Sequence, residues 1–142
     1  PQTVLTQWAA STAYPKPAAA PALAGDAFRD AVTAALSGQA KAIGENGTFT
    51  AQTVAGAPLL VLPLGPGDGA LVFGTATRTE KTVLTKDVTL TASPASAALD
   101  GFKVVTKDAT SLVAQVVVVH IPQSGAATVV AASEQRISAT GH

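Results

Sequence analysis

The stretch from Ser111 to Ala139, SLVAQVVVVHIPQSGAATVVAASEQRISA, limits the possible folds more than any other part of the chain. Two runs rich in Val, Ile and Thr flank Pro122-Gln123-Ser124-Gly125. Such residues suit a pleated, half-buried surface, and a short loop ending in Gly suits an antiparallel hairpin. The first run, Leu112 to Ile121, is apolar on both faces except at Gln115 and His120. A strand with so little polarity on either side is expected to be central and covered twice. The upstream chain must then supply its neighbours and its lids.

Thr3 to Tyr14 places Val4 or Leu5, Trp8 and Thr12 at helical spacing, so a short amphipathic helix anchored by Trp8 is expected. Its β-branched content keeps a strand open as the alternative. Pro15-Lys16-Pro17 ends this element, and a stiff Pro/Ala-rich linker follows to residue 25. Asp26 to Ile43 is the clearest helix. Asp26 sits at its positive end, Phe28, Val32, Ala35, Leu36 and Ile43 share a face, and Gly44 occupies the position of a left-handed cap. From Gly47 the period becomes two. Strands are expected over Gly47–Val54, Pro58–Leu64 (an edge or a bend, because of Pro63) and Ala70–Lys81, with extended chain to Ala92 after a bend near Lys86-Asp87. Ser93–Gly101 suggests a helical turn and Phe102–Thr106 a short strand.

Helices followed by consecutive strands argue for α+β with an antiparallel sheet. The expectation is one or two N-terminal helices on a curved sheet of five to six strands, as in cystatin-like or nuclear-transport-factor-like cones. Residues 26–142 form the single α+β domain, and residues 1–25 are its N-terminal helix and linker.

A chain of 142 residues is ample for one core. Nine acidic and nine basic residues leave no net charge, hence no electrostatic reason to expect nucleic acid. No apolar run approaches the roughly 18–20 residues of a transmembrane helix. Without Cys there is neither a disulfide nor a thiolate metal site. The missing Met and the start at Pro1 suggest a processed chain or a fragment. Low charge with abundant Ala, Thr, Pro and Gly suggests a secreted or cell-envelope location.

The phrases QWAASTAYPKP, GALVFGTATRTEKT, SPASAALDG and VVVVHIPQSGAATVVAASEQRISAT resemble the C-terminal domain of actinobacterial secreted proteins and lipoproteins of unknown function. The resemblance implies export and a longer parent chain. Its motifs are structural, so it carries over no functional residue.

Chemistry is sparse. His120 shares a strand face with Leu112, Ala114, Val116 and Val118, and would act as a base or ligand-orienting group if that face lined a pocket. Otherwise it is a strand-end His near solvent. Arg78 and Glu80 alternate on one strand, as do Glu134 and Arg136 on another, and a solvated outer face of neutralising charges is expected for them. Trp8 and Tyr14 lie near the linker, where they anchor either a partner or their own segment. The histidines are far apart and the carboxylates scattered, so no metal is expected, and no phosphate-binding loop or nucleophile elbow points to a cofactor or an enzyme. The expected role is an exported, non-enzymatic structural or binding module that meets other domains or other copies of itself. The alternative is a small-molecule-binding or catalytic cone with a pocket between the Asp26–Ile43 helix and the sheet, near His120.

Overall fold

A computed structural model of the chain describes residues 1–85, 88–94, 97–98, 101 and 103–142. In chain order the elements are α1 (Gln2–Ala10), α2 (Ala27–Ile43), β1 (Gly47–Pro63), β2 (Ala70–Leu84), β3 (Leu90–Thr91), β4 (Val104–Val105), β5 (Asp108–Ile121) and β6 (Thr128–Gly141). The main sheet has the order β1-β2-β5-β6 and is antiparallel throughout, while β3 and β4 form a separate antiparallel pair. The fold is therefore α+β, with helices packed on an antiparallel sheet. The Val-rich run is an internal strand, and β5 and β6 are the two arms of a hairpin in which Gly125 takes a positive φ of 91°.

The two strands expected on either side of residue 56 are one long β1. Its register against β2 shifts between Ala55 and Pro58 and again between Pro58 and Leu60. Pro58 has no N–H to give to a ladder, and an edge strand with a bulge accommodates it. The bend expected at Lys86-Asp87 and the Phe102 end of the expected Phe102–Thr106 strand lie outside the described residues. So does part of the expected turn over 93–101. There, the Ala97 N–H donates to the Ser93 carbonyl and the Gly101 N–H to the Ala97 carbonyl, the spacing of a helical turn.

Both helices lie on one face of the sheet. Alternation puts Val72, Gly74 and Ala76 of β2 and Val117 and Val119 of β5 on that face, where Val4, Leu5, Trp8 and Ala9 of α1 cover them. Further along, Val32, Leu36 and Ile43 of α2 pack on Phe49 and Ala51 of β1. The helix limits follow from local chemistry. The Asp26 carboxylate accepts the Arg29 N–H at 2.8 Å, and Gly44 closes α2 with a φ of 55°.

The linker is a strap across the covered face. Tyr14 and Ala51 exchange backbone hydrogen bonds at the β1 edge, and Ala127, just before β6, pairs with the chain around Leu23. The Ala22 N–H also donates to the Gln7 side chain at 2.9 Å. Eight residues with three prolines lie between Tyr14 and Leu23, with bends at Pro15-Lys16 and a turn at Pro21-Ala22.

Among the described residues no element covers the other face of the sheet, which corrects the expectation of two lids for β5. Val116 is 47% exposed, with Leu60 and Leu62 of β1 similarly open on the same side. Two helices on one side leave nothing for the other. The outward valines fit their pleated backbone positions without being buried, because β-branching favours the strand conformation by itself.

Gly74 shows how closely α1 approaches. A Cβ at this position would lie 2.6 Å from Leu5 Cδ1 and 2.7 Å from Cδ2. Leu5 is itself buried under the helix and has nowhere to turn. Gly74→Val is expected to destabilise the fold by about 1–3 kcal/mol through overpacking. Chemical denaturation measures it, and a loss below about 0.5 kcal/mol would mean that α1 rides higher on β2 than described.

Candidate functional site

Charged side chains on the covered face are the most consequential departure from the expected arrangement. Arg78 and Glu80 follow Val72, Gly74 and Ala76 in alternation along β2, so they point inward with them. They are 4% and 5% exposed, not part of a solvated outer face. Glu134 and Arg136 point to the same side from β6, although β5 lies between the two strands. Only long side chains meet across an intervening strand, since the two backbones are about 10 Å apart.

Arg78 makes that crossing. Its Nε donates to Glu80 Oε1 at 2.8 Å, and its two terminal nitrogens donate to Glu134 at 2.6 and 3.1 Å, a bidentate pair. Gln115, on β5 beneath the crossing, donates its amide to Glu134 Oε2 at 2.9 Å. Arg136 Nη2 lies 3.9 Å from Glu80 Oε2, within ion-pair reach but beyond a hydrogen bond. Burial by itself would lower the Arg78 pKa, yet the hydrogen bonds and charges of Glu134 and Glu80 outweigh it and the net shift is upward. For Glu134, burial pushes upward, and hydrogen bonds from Arg78 and Gln115 with the Arg78 charge hold it below the usual carboxylate value. Both groups are thus charged at neutral pH.

Beside this network a cleft of about 370 Å³ opens between the C-terminal end of α2 and the sheet. Gln39, Ala42 and Ile43 of α2 form one wall, and Leu90 and Thr91 of β3 border it as well. The sheet side is made by Phe49, Glu80, Thr82, Ala109, Ser111 and Arg136. Small side chains keep the space open: Ala42, Ala109 and Ser111 stand where Leu or Phe would fill it. The lining is mostly apolar, with a few polar groups, the composition usual for small-molecule sites of about 300–1,000 Å³.

The residues singled out from sequence lie elsewhere. His120 is on the uncovered face at the far end of β5, nine residues or about 30 Å from Ser111. Its Nε2 donates to the Asp68 carbonyl at 2.7 Å, tying β5 to the loop before β2. The expected pocket between α2 and the sheet is present, but His120 is not at its rim. Trp8 is fully buried and stacks on Phe28 of α2, with ring centroids 6.0 Å apart. Tyr14 packs on Phe49 at 5.8 Å. Both aromatics therefore fasten the N-terminal segment to its own domain. Among the described residues no three His, Asp or Glu side chains are grouped to hold a metal ion, and no helix is long and apolar enough to cross a membrane.

Sequence reasoning placed a pocket between α2 and the sheet only as the alternative reading, and it missed the charged floor. A signal was present: Arg78 and Glu80 share their alternation with Val72, Gly74 and Ala76, whereas Thr75, Thr77, Thr79 and Lys81 occupy the other side. The signal is incomplete, because Leu71 and Phe73 share the side of the threonines. No family model, curated protein or solved structure matches this chain.

Proposed function

We propose that this domain is a non-enzymatic binding module that takes a small, partly apolar molecule in the cleft between α2 and the sheet. The observation that carries the reading is the pairing of an open, mostly apolar space with a preorganised polar floor. Such a floor orients a ligand without having to reorganise, because Arg78 already holds both carboxylates in place. The same pairing argues against catalysis. Glu134 is a weakened base, being held below its usual pKa, and Glu80 is engaged with Arg78 at 2.8 Å. An exported setting belongs to this reading, on composition and sequence resemblance alone.

Ala42 offers the test, since it is exposed on α2 and borders the cleft. In amide chemical-shift titrations with single-ring aromatic compounds, the expected perturbations cluster on Phe49, Thr82, Ala109 and Ser111. Ala42→Trp, which fills the cleft from the helix side, is expected to abolish them while leaving the circular dichroism spectrum intact. Perturbations that survive in Ala42→Trp, or that spread over the uncovered face instead, would refute the assignment.

A further inference from the structure

We propose that the sheet face opposite the helices is a dimerisation surface, on which a second copy of this chain packs about a two-fold axis running along the strands between β2 and β5. This surface lies across the sheet from the cleft and does not depend on what the cleft binds. It is built in rows, because residues paired in register point the same way. One row is Leu60, Phe73, Val118 and Ala131, and the row nearer the hairpin loops holds Leu62 and Leu71. In the other direction follow Thr75 with Val116, Thr77 with Ala114, and Thr79 with Leu112. Among the described residues these five rows carry no Asp, Glu, Lys or Arg, and Lys81 is the first charge beyond them. His120, on the row nearest the loops, is engaged with the Asp68 carbonyl. Leu60, Leu62 and Val116 are 48%, 41% and 47% exposed on this face.

Size and charge favour a second copy as the occupant. Five rows span about 33 Å along the strands and four strands about 19 Å across them, a footprint of roughly 600 Å² per copy. A pair of copies then buries roughly 1,200 Å², the lower bound of stable specific interfaces. In a two-fold contact the same patch serves both copies, so any charge on it meets its own kind. Rows without charge avoid that repulsion. An anionic lipid surface, by contrast, would call for basic residues that the rows do not supply.

Shape sets the axis. The face is high on the β1 side, where Leu60 and Leu62 stand, and low on the β6 side. There Ala131 and Ser133, with Val116 and Val118 of β5, border a dent of about 120 Å³. An axis along the strands lays β1 of one copy over β6 of the other, so Leu60 of each copy enters the dent of its partner. The two sheets then run within about 30° of each other, the aligned packing of a β-sandwich. The edges of the sheet are poorer sites for a copy. The β1 edge is tied to Tyr14 at Ala51 and to the Gln2 side chain at Gly56, and Pro58 and Pro63 bring no N–H. The β6 edge is irregular at two places, around Val130 and Ile137.

Sedimentation velocity across about 1 µM to 1 mM reads the association, and a Kd of about 1–100 µM is expected for an interface of this size. Val116→Lys and Val116→Glu, each at an exposed position, are expected to weaken dimerisation at least about tenfold with an unchanged circular dichroism spectrum. Their equimolar mixture is expected to recover the dimer, because the axis sets the two copies of residue 116 one strand apart and opposite charges replace like ones. Val130→Lys, on the β6 edge, is expected to leave association unchanged. A wild-type chain that is monomeric throughout would overturn the inference, and so would a mixture no more associated than either variant alone. A dimer lost in Val130→Lys but kept in Val116→Lys would overturn it in favour of edge pairing. A monomer that floats with phosphatidylcholine vesicles would overturn it in favour of a lipid surface.

Discussion

Arg78→Met is expected to lower stability by about 3–5 kcal/mol, the usual consequence of removing one partner from a buried ion pair and stranding the other. For a chain of this length that corresponds to a fall in Tm of about 10–15 °C. The reason lies in the two carboxylates that Arg78 holds. Without it, Glu80 keeps its charge almost out of reach of water, and Glu134 loses its bidentate partner. Adding Glu80→Gln and Glu134→Gln to Arg78→Met is expected to recover more than half of the loss, because the stranded charges go with their partner. Acid supplies a second check with a defined sign. Glu134 has a lowered pKa in the folded state, so its contribution is complete above the usual carboxylate value of 4.5 and fades as pH falls through the folded pKa. The gap between the wild-type chain and Arg78→Met should therefore narrow below about pH 4.5, as Glu134 is protonated and its pairing with Arg78 is lost. Thermal unfolding across pH 3–7 measures both. A single mutant within about 1 kcal/mol of wild type would mean that the network is hydrated like an ordinary surface pair.

Trp8→Ala is expected to cost about 3–5 kcal/mol, the range for emptying a buried aromatic site. Trp8 joins the parts of the covered face: it belongs to the cluster formed by α1, β2 and β5, and its ring stacks on Phe28 of α2. Removing it should release α1 first, so amides of Gln2–Ala10 are expected to lose hydrogen-exchange protection ahead of those in β2 and β5. Trp8→Phe should be far milder. It keeps the stacking partner for Phe28 and deletes an indole N–H that has no hydrogen-bond partner among the described residues, which removes a desolvation penalty. A Trp8→Phe variant as damaging as Trp8→Ala would show that the N–H is satisfied and matters. A Trp8→Ala loss below about 1 kcal/mol would show that the N-terminal helix is dispensable.

The two variants report on different parts of one arrangement. α1 and the linker cover the end of the sheet around Val72–Ala76 and Val117–Val119, leaving the end around Glu80, Thr82 and Ser111 to α2 and β3. α2 stops at Ile43, and between Gln39 and Ile43 it presents only the small Ala42 to the cleft. The cleft exists because the lid runs out before the sheet does. Filling it therefore needs no change to the main core, which is why Ala42→Trp is a clean probe while Trp8→Ala is not.

Much of this fold follows from short-range rules that act within a few residues. Asp26 and Gly44 mark the limits of α2 by capping, alternation marks β2, β-branched content marks β5 and β6, and Pro122 to Gly125 mark the hairpin loop. Each depends only on backbone preference and on neighbours in sequence. Two things depended on tertiary structure. One was which side of the sheet the helices chose, because Val fits a strand equally well buried or exposed and the Val-rich β5 reads alike on both faces. The other was the meeting of Arg78 with Glu134, 56 residues away across an intervening strand, and with it the cleft. A charged side chain looks solvent-facing in sequence, since burying it alone is prohibitive. Whether a partner waits on the same covered face is set by strand order and register, which no local pattern contains.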